Sequence, residues 1–582
     1  MKNFVPQDAR ARRMATALIL VLATASLVAC GPEPTAQPKL SIEIHGWGPT
    51  GAGSDGFVMG LPDFSQASSL RLKVTQPRDQ RILSTETFTV GAHKGSLPDV
   101  TFGENLRVDL EVLDANLAVV ASGATPIFSF EQGDTRRAFR VLVTPTNRFA
   151  PVGSLVADRE TGANKLVQSR FDYSAITASG ASRIWLGRIG QAVAMTDDGQ
   201  VLIVGGAEPA AFHQPGTTPS LRQTFSDIQI FDPATGYFTD LSFDDQARAV
   251  QSTGTDKLRV ARAFHTITPL GADRFLVVGG LTLREGGIRA LNSMEIIDLK
   301  APAGTRIQEL RGDAGPALLT THRAFHSATL RSSDRKLIVA GGVGHNGATD
   351  VIDSFEVIDI ARGTITASAP KLNAARTDHS AVLSADGTNI WLIGGRDASG
   401  ALASTETLRP EGEATVSTVG VRLNRARFGA STVRLSATGG NDVLVIGGFS
   451  DTAGAALSSF EIGGFARDAF FQQADWTLKA ARGAFTAIEL PNSTDVMVIG
   501  GVAATSPVAS AERLRYKGLA DATPFVAETQ GSFVENRHGA SAVMLQNGHI
   551  LVLAGVDGGD ATAHDNAELF NALDPVRNRA GQ

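Results

Sequence analysis

Apolar residues in this chain come in short runs, and one form of run recurs. It reads VLIVGG from Val201, FLVVGG from Phe275, LIVAGG from Leu337, IWLIGG from Ile390, VLVIGG from Val443, VMVIGG from Val496 and, with its pair altered, ILVLAG from Ile550. Each is a strand-length apolar stretch closed by two small residues. The second small residues are Gly206, Gly280, Gly342, Gly395, Gly448, Gly501 and Gly555, at intervals of 74, 62, 53, 53, 53 and 54 residues. A period near fifty means one supersecondary unit repeated in space.

Upstream the pattern changes to strict alternation. Leu40, Ile42 and Ile44 alternate with polar or small residues, as do Leu70, Leu72 and Val74, then Leu106, Val108, Leu110 and Val112, then Phe139, Val141 and Val143. Period two over such lengths predicts half-buried antiparallel strands. About six or seven of them within residues 39–146 predict a small β-sandwich of immunoglobulin-like type. No Cys-Trp-Cys spacing accompanies them, so this domain reads as a spacer or packing unit.

The repeats share more than the glycine pair. An arginine precedes each run: Arg188, Arg262, Arg323, Arg376, Arg427, Arg482 and Arg537. A turn such as Ala385-Asp386-Gly387 or Asn547-Gly548 sits between first and second strands. A third strand carries Glu295, Glu356, Glu406, Glu461, Glu512 or Glu568, with Gln229 in the first copy. Seven such units predict an all-β, seven-bladed propeller over residues 147–575. Too few residues follow Phe570 for a last outer strand, and Phe149 to Leu155 reads like one, so this segment is expected to close the ring and cover its strand edges.

The Gly-Gly strand end and the glutamate-bearing third strand resemble kelch repeats of the galactose-oxidase type. The family's tyrosine two positions after the glutamate is missing: Phe231, Ile297, Ile358, Leu408, Gly463, Leu514 and Phe570 stand there, which puts regular blade edges in doubt, most of all in the fifth copy. Active galactose-oxidase chemistry implies a cysteine crosslinked to tyrosine. The only cysteine here is Cys30, far upstream, so that chemistry is not expected.

Cys30 has a different reading. A basic segment ending Arg12-Arg13 leads into an apolar run, Met14 to Leu27, too short to span a membrane. It ends Leu27-Val28-Ala29-Cys30-Gly31, which resembles a bacterial lipobox. The resemblance implies residues 1–29 as a cleaved signal, lipidation of Cys30, a Pro-rich tether over 30–38, and an outer-membrane location in a Gram-negative envelope. A short tail, 576–582, follows the propeller. The net charge of −6 makes an electrostatic nucleic-acid ligand a poor fit.

Candidate chemistry lies in what the repeats share and in what interrupts them. The glycine pairs lack the following helix that a phosphate loop needs, so they read as positive-φ, close-approach positions. The seven arginines are open to two roles: a ring of guanidinium groups at the channel mouth for an acidic ligand, or buried pairing with the repeat glutamates, Arg376 with Glu406 for example. Pairing is favoured because nearly every repeat holds both partners. His265, His326 and His379 follow their arginines by three residues; they are mouth candidates too, but equivalent positions on neighbouring blades lie too far apart for one metal ion, so no metal and no cofactor is expected. The extra length falls in 159–187, 207–225 and 240–258, all on one face around the first repeat, where a binding surface is expected. The function these features imply is a lipid-anchored binding or scaffolding module for a protein or glycan, with no catalytic residue assigned. The alternative, by resemblance to periplasmic kelch epimerases of sialic acid, is a sugar-modifying enzyme.

Overall fold

The structure is a computed structural model; it describes Leu18–Leu20 and most of residues 39–572, the larger omissions being 21–38, 90–102 and 242–255. The signal segment other than Leu18–Leu20, Cys30, the tether, most of 240–258 and the tail lie outside the described residues. The chain is all-β. Over the repeats, each glycine-ended run forms the second strand of an antiparallel sheet. Val201–Val204, for instance, lies between Ala192–Met195 and Ile228–Asp232, with Tyr237–Asp240 outermost. Among the described residues seven such sheets follow one another. Their first strands touch in sequence, and the first strand of the seventh sheet, Ser541–Met544, touches that of the first, Ala192–Met195, closing a propeller.

The unbroken apolar character of the second strands has a packing cause. Val201 and Ile203 face Leu551 and Leu553 of the seventh sheet, while Leu202 and Val204 face Phe275 and Val277 of the second. Alternate residues of one strand therefore serve two inter-sheet cores. Each sheet is covered on both faces, and polar alternation would leave one of them unfilled.

The seventh sheet takes its fourth strand from far upstream: Phe149–Pro151 pairs antiparallel with Ala567–Asn571, Phe149 opposite Phe570. The pairing ends at Pro151, short of the expected Leu155. Gly153–Ala157 leaves the sheet to form a hairpin with Asn164–Gln168. The fifth sheet has three regular strands. Gly463 stands where an aromatic was missed, and the Phe470 ring fills its place so closely that a Cβ there would lie 2.4 Å from the ring. The outer segment is reduced to isolated bridges, Ile462 with Phe471 and Ser459 with Thr477.

The N-terminal domain pairs along one path of strands: Leu18–Leu20, Lys39–Gly46, Arg136–Pro145, Val119–Ala124, Gly103–Leu113, Ser69–Gln76 and Arg81–Thr89. Arg136–Pro145 runs parallel to Lys39–Gly46 up to Val143, then pairs with Val119–Ala124 at Thr144 and Pro145. Leu70, Leu72, Val74, Leu106, Val108 and Leu110 form its core.

Candidate functional site

The repeat arginines do not reach the channel mouth. Arg188, Arg262, Arg323, Arg376, Arg427, Arg482 and Arg537 are all buried inside their own sheets. Arg376 donates through Nη1 to the Gly394 carbonyl at 2.8 Å and through Nη2 to Glu406 at 2.6 Å. Glu406 also accepts the backbone N–H groups of Asn373 and Ala374 and the Ser417 hydroxyl. Burial pushes this carboxyl up, but Ser417, Asn373 and Arg376 together hold it below the ordinary value. The arginine, the glycine pair and the glutamate are thus one network tying the first three strands together. A guanidinium with its charge spent in this way is not offered to a ligand, and the ligand-binding reading of the seven arginines gives way to the pairing one. In the first sheet the partner is not Gln229 but Asp227, which takes Arg188 in a fork at 2.8 and 3.2 Å.

The histidines are seam residues. His326 Nε2 meets Thr266 of the preceding sheet at 3.1 Å, and His379 Nε2 meets Ser327 at 2.9 Å. Gln191 makes the equivalent contact to Ser541. His265 faces the first sheet, where Ala192 replaces the hydroxyl, and neither of its ring nitrogens has a partner among the described residues. Burial, helped by Arg262, lowers its pKa to about 3, so the ring is neutral. His265, His326 and His379 therefore latch or pack sheets rather than line the mouth. Among the described residues no group of three or more His, Cys, Asp or Glu is placed to hold a metal ion.

The mouth is built one residue earlier in each repeat. Two positions after each arginine the backbone turns left-handed: Gly190, Phe264, Phe325, Asp378, Gly429, Ala484 and Gly539 have φ between 50° and 65°. Neighbours join through their backbones, Phe264 N–H to Gly190 at 2.7 Å and Gly429 N–H to Asp378 at 2.9 Å. Bulky or charged residues are uncommon at positive φ, so Phe264, Phe325 and Asp378 stand out from the glycines and alanine of the other repeats. Phe264 and Phe325 lie with ring centroids 4.5 Å apart. Asp378 accepts a hydrogen bond from Arg396 Nε at 3.2 Å.

Above Phe325 and Asp378 lies a pocket of about 430 Å³, walled by Leu281 and Ile288 of the second sheet's loop, His345 and Ala348 of the third, and Arg396 of the fourth. Its remaining wall comes from across the ring. The long loop of the first sheet brings Gly216 against Phe428 and Arg396, with a Cβ there 3.2 and 3.3 Å from them, and the Ala348 N–H donates to the Thr218 hydroxyl at 3.0 Å. Burial pushes the Asp378 carboxyl above its ordinary value, against Arg396, which pulls it down. At the rim the His322 and His345 rings lie tilted at 43° with centroids 4.3 Å apart, and burial, then the charge of His345, lowers the pKa of His322.

Of the three insertions, 207–225 supplies Gly216 and Thr218 to the pocket wall; Phe325, Asp378, Arg396 and His345 are not among the residues the sequence singles out. The available signal was the position two after each arginine, where Phe, Phe and Asp interrupt a series of glycine and alanine.

No family model and no curated protein sequence matches the chain. Solved structures with a similar fold include that of YjhT, at 12% identity over 59% of this chain and 98% of that one with a TM-score of 0.40. Another is a fungal alcohol oxidase of the AA5 family in complex with copper, at 16% identity over 68% of this chain and 76% of that one with a TM-score of 0.47. These likenesses are shallow, and the propeller assignment stands on the closed ring of sheets.

Proposed function

We propose that this chain is a lipid-anchored protein of a Gram-negative envelope whose propeller binds a protein or glycan partner at the mouth pocket. The observation that carries the binding role is the pocket: a carboxylate and a guanidinium side by side, next to the Phe325 ring, under a loop reaching from the opposite side of the ring. An acceptor and a donor beside an aromatic face suit adjacent hydroxyls of a sugar ring, which favours a glycan. The anchor rests on Leu27 to Gly31 and on Cys30 being the only cysteine. Two measurements test the reading. Detergent-extracted full-length chain is screened on a glycan array beside Asp378→Asn; the reading expects a set of bound glycans that the variant loses, and equal binding by both would remove the pocket from the proposal. Radiolabelled palmitate should enter the chain in an expressing Gram-negative host and fail to enter Cys30→Ser.

A second reading, a sugar-modifying enzyme, draws support from the same carboxyl. A half-buried carboxyl in a pocket, its pKa raised by desolvation, suits proton transfer. Asp378 replaces the three seam histidines as its candidate acid/base. NMR of free sugars incubated with the chain tests this: interconversion that persists in Asp378→Asn rules the role out.

A further inference from the structure

The N-terminal domain meets the ring at the end of the seventh sheet opposite the glycine pairs and the pocket. Asn571, fully buried at the end of the sheet's third strand, donates from Nδ2 to the Ser122 hydroxyl at 2.8 Å and to the Thr144 carbonyl at 2.9 Å. His549, at the start of the second strand and also buried, sets Nε2 3.3 Å from the Thr144 hydroxyl. Arg107 donates to the Gln546 carbonyl at 2.8 Å. These are directional bonds in a place closed to water, where a shift of one body against the other would strand several polar groups together.

The chain path adds a second constraint. The domain's last strand ends at Pro145, Thr146 bridges to Asn571, and the strand that closes the ring begins at Phe149. Only two residues, 147 and 148, separate that bridge from the closing strand. The parallel pairing of Arg136 with Lys39 puts the start of the domain at the far end of that last strand, away from the ring. At the usual rise, ten residues of strand span roughly 33 Å.

We infer that the N-terminal domain is a rigid pedestal locked under the seventh sheet by Asn571, Thr144, Ser122 and His549, that its docking completes closure of the ring, and that it points the mouth pocket away from Lys39, where the domain begins. The partner this surface fits is the chain's own domain, and the consequence is a binding face held at fixed height and orientation. Height above a membrane rests on the proposed lipid anchor; the lock does not.

The test uses the full chain in a Cys30→Ser background, which leaves no native thiol, with spin labels at Thr87→Cys on the domain's outer strand and Ser399→Cys on the pocket face. A single narrow distance distribution is expected, and Asn571→Ala should lose that single maximum. Should Asn571→Ala fail to fold, Thr144→Val, which removes only the hydroxyl facing His549, should still broaden the distribution. A broad or multi-peaked distribution in the parent, or unchanged widths in the folded variants, overturns the inference. Palmitate labelling of the unaltered chain decides the anchor separately, so a failure there leaves the pedestal result standing.

Discussion

Arg376 and Glu406 meet 2.6 Å apart inside the fourth sheet, with side chains 0% and 1% exposed. The same meeting recurs in the other sheets, with Asp227 as the acid in the first. The pair is the knot where the first three strands of a sheet are tied, since Arg376 holds the Gly394 carbonyl and Glu406 holds the loop before the first strand. Arg376→Met should cost about 3–5 kcal/mol in urea unfolding, because it leaves a buried carboxylate without its counter-charge. Glu406→Gln keeps an amide oxygen for Arg376 but leaves the buried guanidinium without its counter-charge, so it should cost a similar amount. A loss below about 1 kcal/mol for Arg376→Met would mean that the network carries little of the fold.

The glycine pairs separate two causes of glycine's presence. Gly341 has φ +62°, and a Cβ there would lie 2.2 Å from the Arg376 carbonyl of the next sheet; Gly271 has φ +85° with nothing within 4 Å. Gly271→Ala meets only the left-handed backbone penalty and should cost about 1–2 kcal/mol. Gly341→Ala adds a clash with backbone that cannot move without parting two sheets, so its melting point should fall well below that of Gly271→Ala. Equal melting points would show that conformation, not close approach, selects glycine there.

Architecture was legible because each repeat writes its packing in a fixed order: four apolar residues for two neighbouring cores, a glycine pair at the close approach, an arginine and its acid. The ring-closing segment was legible by counting, although its end at Pro151 was not, because nothing in Gly153 to Leu155 marks the change from one partner strand to another. Function was less legible for a local reason. His326 and Phe325 are adjacent, but the positive φ of Phe325 turns one to the mouth and its neighbour to the seam, and chain order alone does not show that turn. Arg188 with Asp227 is illegible for another reason: its acid stands two residues before Gln229, the position that holds glutamate in the other repeats.

His265 lacks the hydroxyl partner that His326 and His379 possess, and Ala192 is the reason. Ala192→Ser should place a hydroxyl beside the ring and stabilise the chain by about 1 kcal/mol, the worth of one buried hydrogen bond. Thermal unfolding reads the shift; a lower melting point would mean that the seam has no room for the added oxygen.

The buried imidazoles also set a pH limit. Burial holds His265 at about 3 and His549 at about 4, and puts His326 well below its ordinary value. Their folded pKa values lie below the unfolded 6.5, so the unfolded chain binds more protons in that interval. Stability is full above pH 6.5 and falls as pH drops towards 4, by about 1.4 kcal/mol per pH unit for each histidine that stays neutral in the fold. Urea midpoints at pH 7, 5.5 and 4.5 should descend, and His265→Gln should flatten the descent. A midpoint independent of pH over that range would contradict the burial of these rings.

Asp378 has the opposite sign, and this separates its function from its contribution to the fold. Burial raises its folded pKa above the ordinary carboxylate value, against the pull of Arg396. A raised carboxyl supports the fold below its unfolded pKa and loses that support as pH rises through the folded value, so at pH 7 its charge works against stability. Asparagine tolerates the left-handed backbone and keeps an oxygen for Arg396 Nε. Asp378→Asn should therefore unfold at a urea midpoint equal to or above that of the parent at pH 7, and lose the difference as pH falls towards 4. If the pocket is the site, the same variant loses its ligand while the fold is intact. Loss of stability at pH 7 together with intact binding would place Asp378 among the structural residues of the mouth.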